Sequence, residues 1–243
     1  MNLAKFVGSL KEAQKLLKDY ELLISVGEKV IHKDDVSQEF KKASQSKDYF
    51  NLYRVATQNF DYDILMYDES IFQFSYSNLD TSAGIPEVRY MFLQNPQLFL
   101  TYNQYLTYLK DEGYIDEEEI ETVGSSFYEE YQQYLNEQQV NTSNTSIRYD
   151  VDSKLHKPLV HSTAHFHFGH VTNVRVPCNQ IVTPLGFVLF VLKHIYYTDW
   201  KEKLIKSEFI IEQLKKQKAA FTIIKELNEN KWVLDEEMEL FIN

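Results

Sequence analysis

Tyr62-Asp63-Ile64-Leu65-Met66-Tyr67, then Asp68-Glu69, then Ile71-Phe72-Gln73-Phe74-Ser75-Tyr76 reads as two strands about a tight turn. Alternation in the second strand puts Phe72, Phe74 and Tyr76 on one face, the mark of a half-buried strand. Beyond Gly84 and Pro86, Glu87 to Leu93 is a third strand candidate, stopped by Asn95-Pro96. Short connections make these neighbours antiparallel. Alternation returns at Ser146-Ile147-Arg148-Tyr149-Asp150-Val151-Asp152, at Ala164-His165-Phe166-His167-Phe168 and at Asn173 to Val176.

Helical periodicity lies on either side of these strands. Leu10, Ala13, Leu16, Leu17, Tyr20, Leu23 and Ile24 follow a 3.6-residue period, which predicts a helix over Leu3 to Val30 interrupted around Gly27. Ser37 to Asn59 is a second helical stretch with a serine cap. Further helices are expected over Leu100 to Lys110 and Asp116 to Gln138. The run from Pro184 to Tyr197 is apolar on nearly every side, with Thr183-Pro184 as its cap and first residue, so it must be buried. From Lys201 the pattern is helical and highly charged. The expectation is an α+β protein, an antiparallel sheet of about five strands packed by N- and C-terminal helices. It forms one domain over residues 1–243, and the polar run Gln138 to Ser146 is the best lobe boundary.

The net charge of -11 is concentrated. Between Asp111 and Ile147 there are ten acidic residues and no Lys or Arg, so the remainder is close to neutral. That segment reads as a solvated helical face or as a docking surface for a basic partner. Overall acidity argues against an independent, salt-driven nucleic-acid binder but leaves room for a local basic groove. Cys178 stands alone, which excludes an internal disulfide and a cysteine-rich zinc site and fits a reducing cytoplasm. The N-terminus carries lysines and no continuous apolar core, so no signal peptide is expected. No apolar run approaches the roughly 18 residues of a membrane span. A cytoplasmic location without membrane partners is expected.

Five of the seven histidines, His156, His161, His165, His167 and His170, fall within fifteen residues. Period two places His165 and His167 on one face of their strand, opposite Phe166 and Phe168. Histidine is the commonest metal ligand and titrates near neutrality, so this stretch carries the strongest chemical signal in the chain. Arg148, Asp150 and Asp152 also share a face of their strand, and Arg175 lies in another. Arginine suits fixed contacts to carboxylate or phosphate.

These types compose a candidate metal- or histidine-assisted phosphodiester hydrolase. His161, His165, His167, Asp150, Asp152, Arg148 and Arg175 are its candidate catalytic residues, with His165 and His167 as ligands to a divalent metal. The bland alternative pairs Arg148 or Arg175 with Asp150 or Asp152 in the sheet and leaves the histidines structural. A third reading is a non-enzymatic adaptor or regulatory subunit docking a larger partner. Gly169 stands where the H-x-H-x-D-H motif of metallo-hydrolases needs aspartate, and no P-loop, H-E-x-x-H or G-x-S-x-G occurs.

The order Tyr62-Asp63-Ile64-Leu65, Asp68-x-Ser70-x-Phe72-Gln73-Phe74, Arg148-x-Asp150, His161-x3-His165-x-His167-x-Gly169, Arg175-x-Pro177 and Pro184-x2-Phe187 resembles a bacterial family of unknown function. Members of that family are encoded beside a helicase in some antiviral defence loci. The resemblance implies intracellular anti-phage defence, with a helicase as partner and foreign nucleic acid as target. It supplies no catalytic residues, and any ATP-driven step belongs to the partner, because this chain has no helicase motifs.

Overall fold

The computed structural model describes the chain apart from residues 28–35, 80–83, 97–99, 101, 117, 120–123, 142–144, 171–173 and 239–243. Two compact units emerge, residues 1–94 with 145–243, and residues 95–144. The first contains a seven-stranded sheet whose strands lie side by side in chain order. They are β1 (Leu23–Val26), β2 (Ile64–Met66), β3 (Ile71–Asn78), β4 (Glu87–Leu93), β5 (Ser146–Val151), β6 (Ala164–Phe168) and β7 (Val174–Cys178). Every neighbouring pair is antiparallel. The α+β class is as expected, and the sheet is wider than the five strands anticipated.

Part of the extra width, the strand β1, has a local cause at the N-terminus. Helix α1 spans Leu3–Asp19 and does not continue towards Val30. Glu21 takes a left-handed conformation at φ 59°, and the Leu22 amide donates back to the Leu17 carbonyl, which closes the helix. Leu23–Val26 then pairs with β2, gaining inter-strand hydrogen bonds that a further helical turn would forgo. The second helical stretch is likewise two helices, α2 (Gln38–Ala43) and α3 (Tyr49–Gln58). Each has its own cap, as Ser37 Oγ accepts from Phe40 N at 3.0 Å and Asp48 Oδ1 from Asn51 N at 2.9 Å.

One face of the sheet carries Phe72, Phe74, Tyr90, Phe92, Tyr149 and Phe166 into the main core. α1 and the helix α6 (Pro184–His194; α4, Tyr102–Asp111, and α5, Tyr128–Asn141, belong to the second unit) cover that face. Thr183 Oγ1 caps α6 by accepting from Gly186 N at 3.0 Å. Phe187 sits at the centre, its ring between 5.7 and 6.4 Å from those of Phe72, Phe74, Tyr90 and Phe166. Burying a side chain of this size contributes about 2 to 3 kcal/mol.

On the opposite face, α2 and α3 cover only part of the sheet, packing Phe40, Leu52 and Ala56 against Ile71, Met91 and Leu93. Asp61 tethers α2, accepting from Ser37 N at 2.8 Å and Ser37 Oγ at 2.6 Å. The rest of this face is polar. A two-stranded ribbon of β8 (Gln180–Ile181) and β9 (Thr222–Ile223) follows β7 in the chain. The charged C-terminal stretch is helical in part, as α7 (Glu208–Ala220) and short helical turns.

The second unit is inserted in the chain between β4 and β5. It holds α4 (Tyr102–Asp111) and α5 (Tyr128–Asn141), joined by interlocking rings, Tyr102 with Tyr131 at 5.1 Å and Tyr105 with Tyr134 at 5.2 Å. Part of the helix expected from Asp116 lies outside the described residues. Among the described residues no helix is long and apolar enough to cross a membrane.

Candidate functional site

Antiparallel register aligns two rows of side chains across β4 to β7 on the polar face. The first row is Arg89, Asp150, His165 and Pro177; the second is Met91, Arg148, His167 and Arg175. Each strand contributes alternate residues, so its apolar partners enter the main core while these remain on the other side. His165 and His167 therefore share a face opposite Phe166 and Phe168, as alternation predicts, and their rings lie 4.7 Å apart.

Asp150 is the hub. Its Oδ1 accepts from Arg89 Nε at 3.1 Å and its Oδ2 from Arg148 Nε at 2.8 Å. Burial would push this carboxyl upward. The neighbouring His167 ring and the guanidiniums of Arg148 and Arg89 outweigh burial and hold it well below the usual carboxylate range. Arg148 Nη2 also lies 2.9 Å from His167 Nε2. Arginine only donates, so in the neutral ring Nε2 accepts and the proton sits on Nδ1. The same Nε2 lies 3.4 Å from Asp150 Oδ2, a contact that is a hydrogen bond when Nε2 carries the proton. The two contacts therefore need opposite roles of Nε2, acceptor towards Arg148 and donor towards Asp150.

His165 is 4% exposed. Its Nδ1 lies 3.1 Å from the Ser162 carbonyl, which can only accept, so the proton is on Nδ1 and Nε2 keeps its lone pair. Burial lowers its pKa to about 4, against the pull of Asp150, so the ring is neutral at physiological pH. A neutral imidazole whose other nitrogen donates to a carbonyl is the usual arrangement of a metal-ligating histidine. The ligand atoms of Asp150, His165 and His167 all lie within 4.8 Å of one another, a spacing that a single metal ion can close.

His161 approaches from a tight loop in which Lys157 N donates to His161 O at 2.9 Å and His161 N to Lys157 O at 2.8 Å. Its ring is 4.9 Å from that of His165, and its buried Nδ1 has no hydrogen-bond partner. It opens, with His165, Arg175 and Pro177, onto a cavity of about 410 Å³ rimmed by Leu159 and Val160. Arg175 also lines a second cavity of about 130 Å³, shared with Arg148 and His167.

Of the expected site residues, His161, His165, His167, Asp150, Arg148 and Arg175 converge here. Asp152 stands apart: its Oδ1 accepts from Lys154 N at 2.8 Å, and it lines a third cavity beside Arg89 and Arg148. His156 is a structural strut, its Nε2 3.1 Å from a buried Glu236 carboxylate that also accepts from Val233 N. His170 donates to the Ser46 carbonyl at 2.7 Å. His32 lies outside the described residues. Cys178 is buried and its thiol is pushed up to about 11, so it is no nucleophile near neutrality.

Arg89 is the residue that the sequence did not place in the site. Its signal was only its rank as one of four arginines, three of which fall in strand candidates. Pairing opposite Asp150 follows from the β4–β5 register, which alternation does not specify.

No curated protein and no solved structure matches the chain. Residues 16–236, nearly all of both units, match the family model described as an uncharacterized conserved protein, and the chain therefore belongs to the family DUF2290.

Proposed function

We propose that this protein is a component of an anti-phage defence system that acts with a helicase on foreign nucleic acid, and that its histidine rows are a phosphodiester hydrolase site. The observation that carries the reading is the convergence of Asp150, His165 and His167 with three of the chain's four arginines on one sheet face. Three guanidiniums against the single carboxylate of Asp150 leave a local excess of positive charge in a chain of net charge -11. That excess suits an anionic phosphodiester. The helicase partner and the defence setting rest on the family resemblance drawn from the sequence.

His165 offers Nε2, fixed by its bond to the Ser162 carbonyl, and Asp150 stays ionised across the physiological range. His167 supplies the third donor once Arg148 turns from it towards the phosphate. Arg175, between the two cavities, holds the same phosphate from the other side. A divalent metal in this ligand set would polarise the phosphoryl oxygens and acidify a water.

One observation favours the second reading, a non-catalytic adaptor. Arg148 already joins Asp150 to His167, so the cluster is held together without a metal. The deciding experiment measures cleavage of single- and double-stranded DNA and RNA, in chelator and with added divalent metals, with and without the candidate helicase. Metal-dependent cleavage that falls about 100-fold or more in a folded His165→Ala/His167→Ala variant is the expected result. No cleavage by either protein, with helicase binding kept in the variant, sinks the hydrolase reading and leaves the adaptor.

A further inference from the structure

We infer that the nucleic acid reaches this site as a single strand, lying in a groove whose far wall is α2 and gripped there by Lys41. The groove is built from three recesses joined by arginines. The first, about 480 Å³, lies between α2, which contributes Lys41, and strands β3 to β5, which contribute Gln73, Ser75, Arg89 and Arg148. The second, about 130 Å³, shares Arg148 with the first and adds His167 and Arg175. The third, about 410 Å³, shares Arg175 with the second and holds His161 and His165. Lys41, Arg89, Arg148 and Arg175 line this track against one lining carboxylate, Asp152, while the buried Asp150 is bound to Arg89 and Arg148.

Recession excludes a duplex. Asp150 is 7% exposed and His165 4%, so a phosphodiester must descend below the rims formed by α2 and the Lys157–His161 loop to reach them. A separated strand is flexible enough to do so. The backbone of a stiff, stacked duplex, with a persistence length of about 150 bp, follows its own helical path and is not. The described lining residues offer imidazoles and charge but no exposed Phe, Tyr or Trp platform. Recognition then rests on the phosphate backbone, tolerant of sequence and sensitive to salt. Four cations, two of them engaged by Asp150, at about -0.7 per single-strand phosphate contact, predict a slope of log affinity on log salt of roughly -1.4 to -2.8.

The inference relies on the hydrolase reading only for where the scissile bond lies, so binding is measured apart from cleavage. The full chain in chelator is titrated against a labelled single-stranded oligonucleotide of about ten residues. DNA and RNA versions are compared with the same DNA annealed to its complement, by fluorescence anisotropy between about 50 and 200 mM salt. Lys41 is exposed on α2, so Lys41→Glu spares the core; Lys215→Glu, exposed on α7, is the control. The single strand should bind about tenfold or more tighter than the duplex, and Lys41→Glu should weaken it about tenfold and flatten the salt slope by about one, with Lys215→Glu unchanged. Equal or tighter duplex binding overturns the inference, as does a Lys41→Glu variant that binds like the control. A small diester, bis(p-nitrophenyl) phosphate with added metal, separates the two readings. Its hydrolysis without oligonucleotide binding removes the groove and keeps the hydrolase; strand binding without hydrolysis of any substrate does the reverse.

Discussion

Acidification charges His165 in the unfolded chain long before it does so in the folded one. The folded ring has a pKa of about 4 because it is buried, against 6.5 for an unperturbed histidine. A depressed imidazole means that the unfolded state binds the proton first as pH falls, so stability is lost below 6.5 and the loss is complete below 4. Relative to about pH 7.5, linkage gives a loss of about 1.3 kcal/mol by about pH 5.5 and about 2.5 kcal/mol by about pH 4.5 from this group alone. Asp150 adds a loss of the same sign only at lower pH, because its carboxyl is held below the usual carboxylate range. The measurement is urea unfolding of chelator-treated protein across this range, wild type beside His165→Asn, which cannot titrate. Subtracting the variant removes the other titrating groups, and wild type should lose more stability by the amounts above. Parallel pH profiles would show that His165 is not held neutral by burial, and the case for it as a preorganised ligand would fall with that result.

Two further substitutions probe the scaffold. Gly27 lies against the backbone, its amide donating to Asp63 O at 3.0 Å, and an added Cβ would overlap the Tyr62 carbonyl oxygen. Gly27→Ala should destabilise the β1–β2 edge by about 1 to 3 kcal/mol, read as faster hydrogen exchange at the β1 amides ahead of the central strands. Phe187→Ala empties the centre of the core between the sheet and α6 and should cost about 3 to 5 kcal/mol in chemical denaturation. A loss below about 1 kcal/mol would mean that this aromatic cluster does not hold the sheet to α6.

Much of this protein follows from local rules. Alternation in Ile71–Asn78, Ser146–Val151 and Ala164–Phe168 is enough to name strands and to divide their faces, because successive side chains must point to opposite sides. The Thr183-Pro184 pair and the unbroken apolar run after it announce a capped, buried helix for reasons equally local. Alternation by itself also sets His165 and His167 side by side. The same kind of rule misplaces Leu23 and Ile24, since they continue the helical period of α1 and become a strand only because β2 is present to pair with them. Nor does any local rule join Arg89 to Asp150, or separate His156 from its neighbours by its pairing with Glu236 some eighty residues away. Period and propensity are properties of a segment and survive in the sequence. Register, and the choice of which distant carboxylate a cation meets, depends on segments far apart in the chain packing together, and only the tertiary structure decides it.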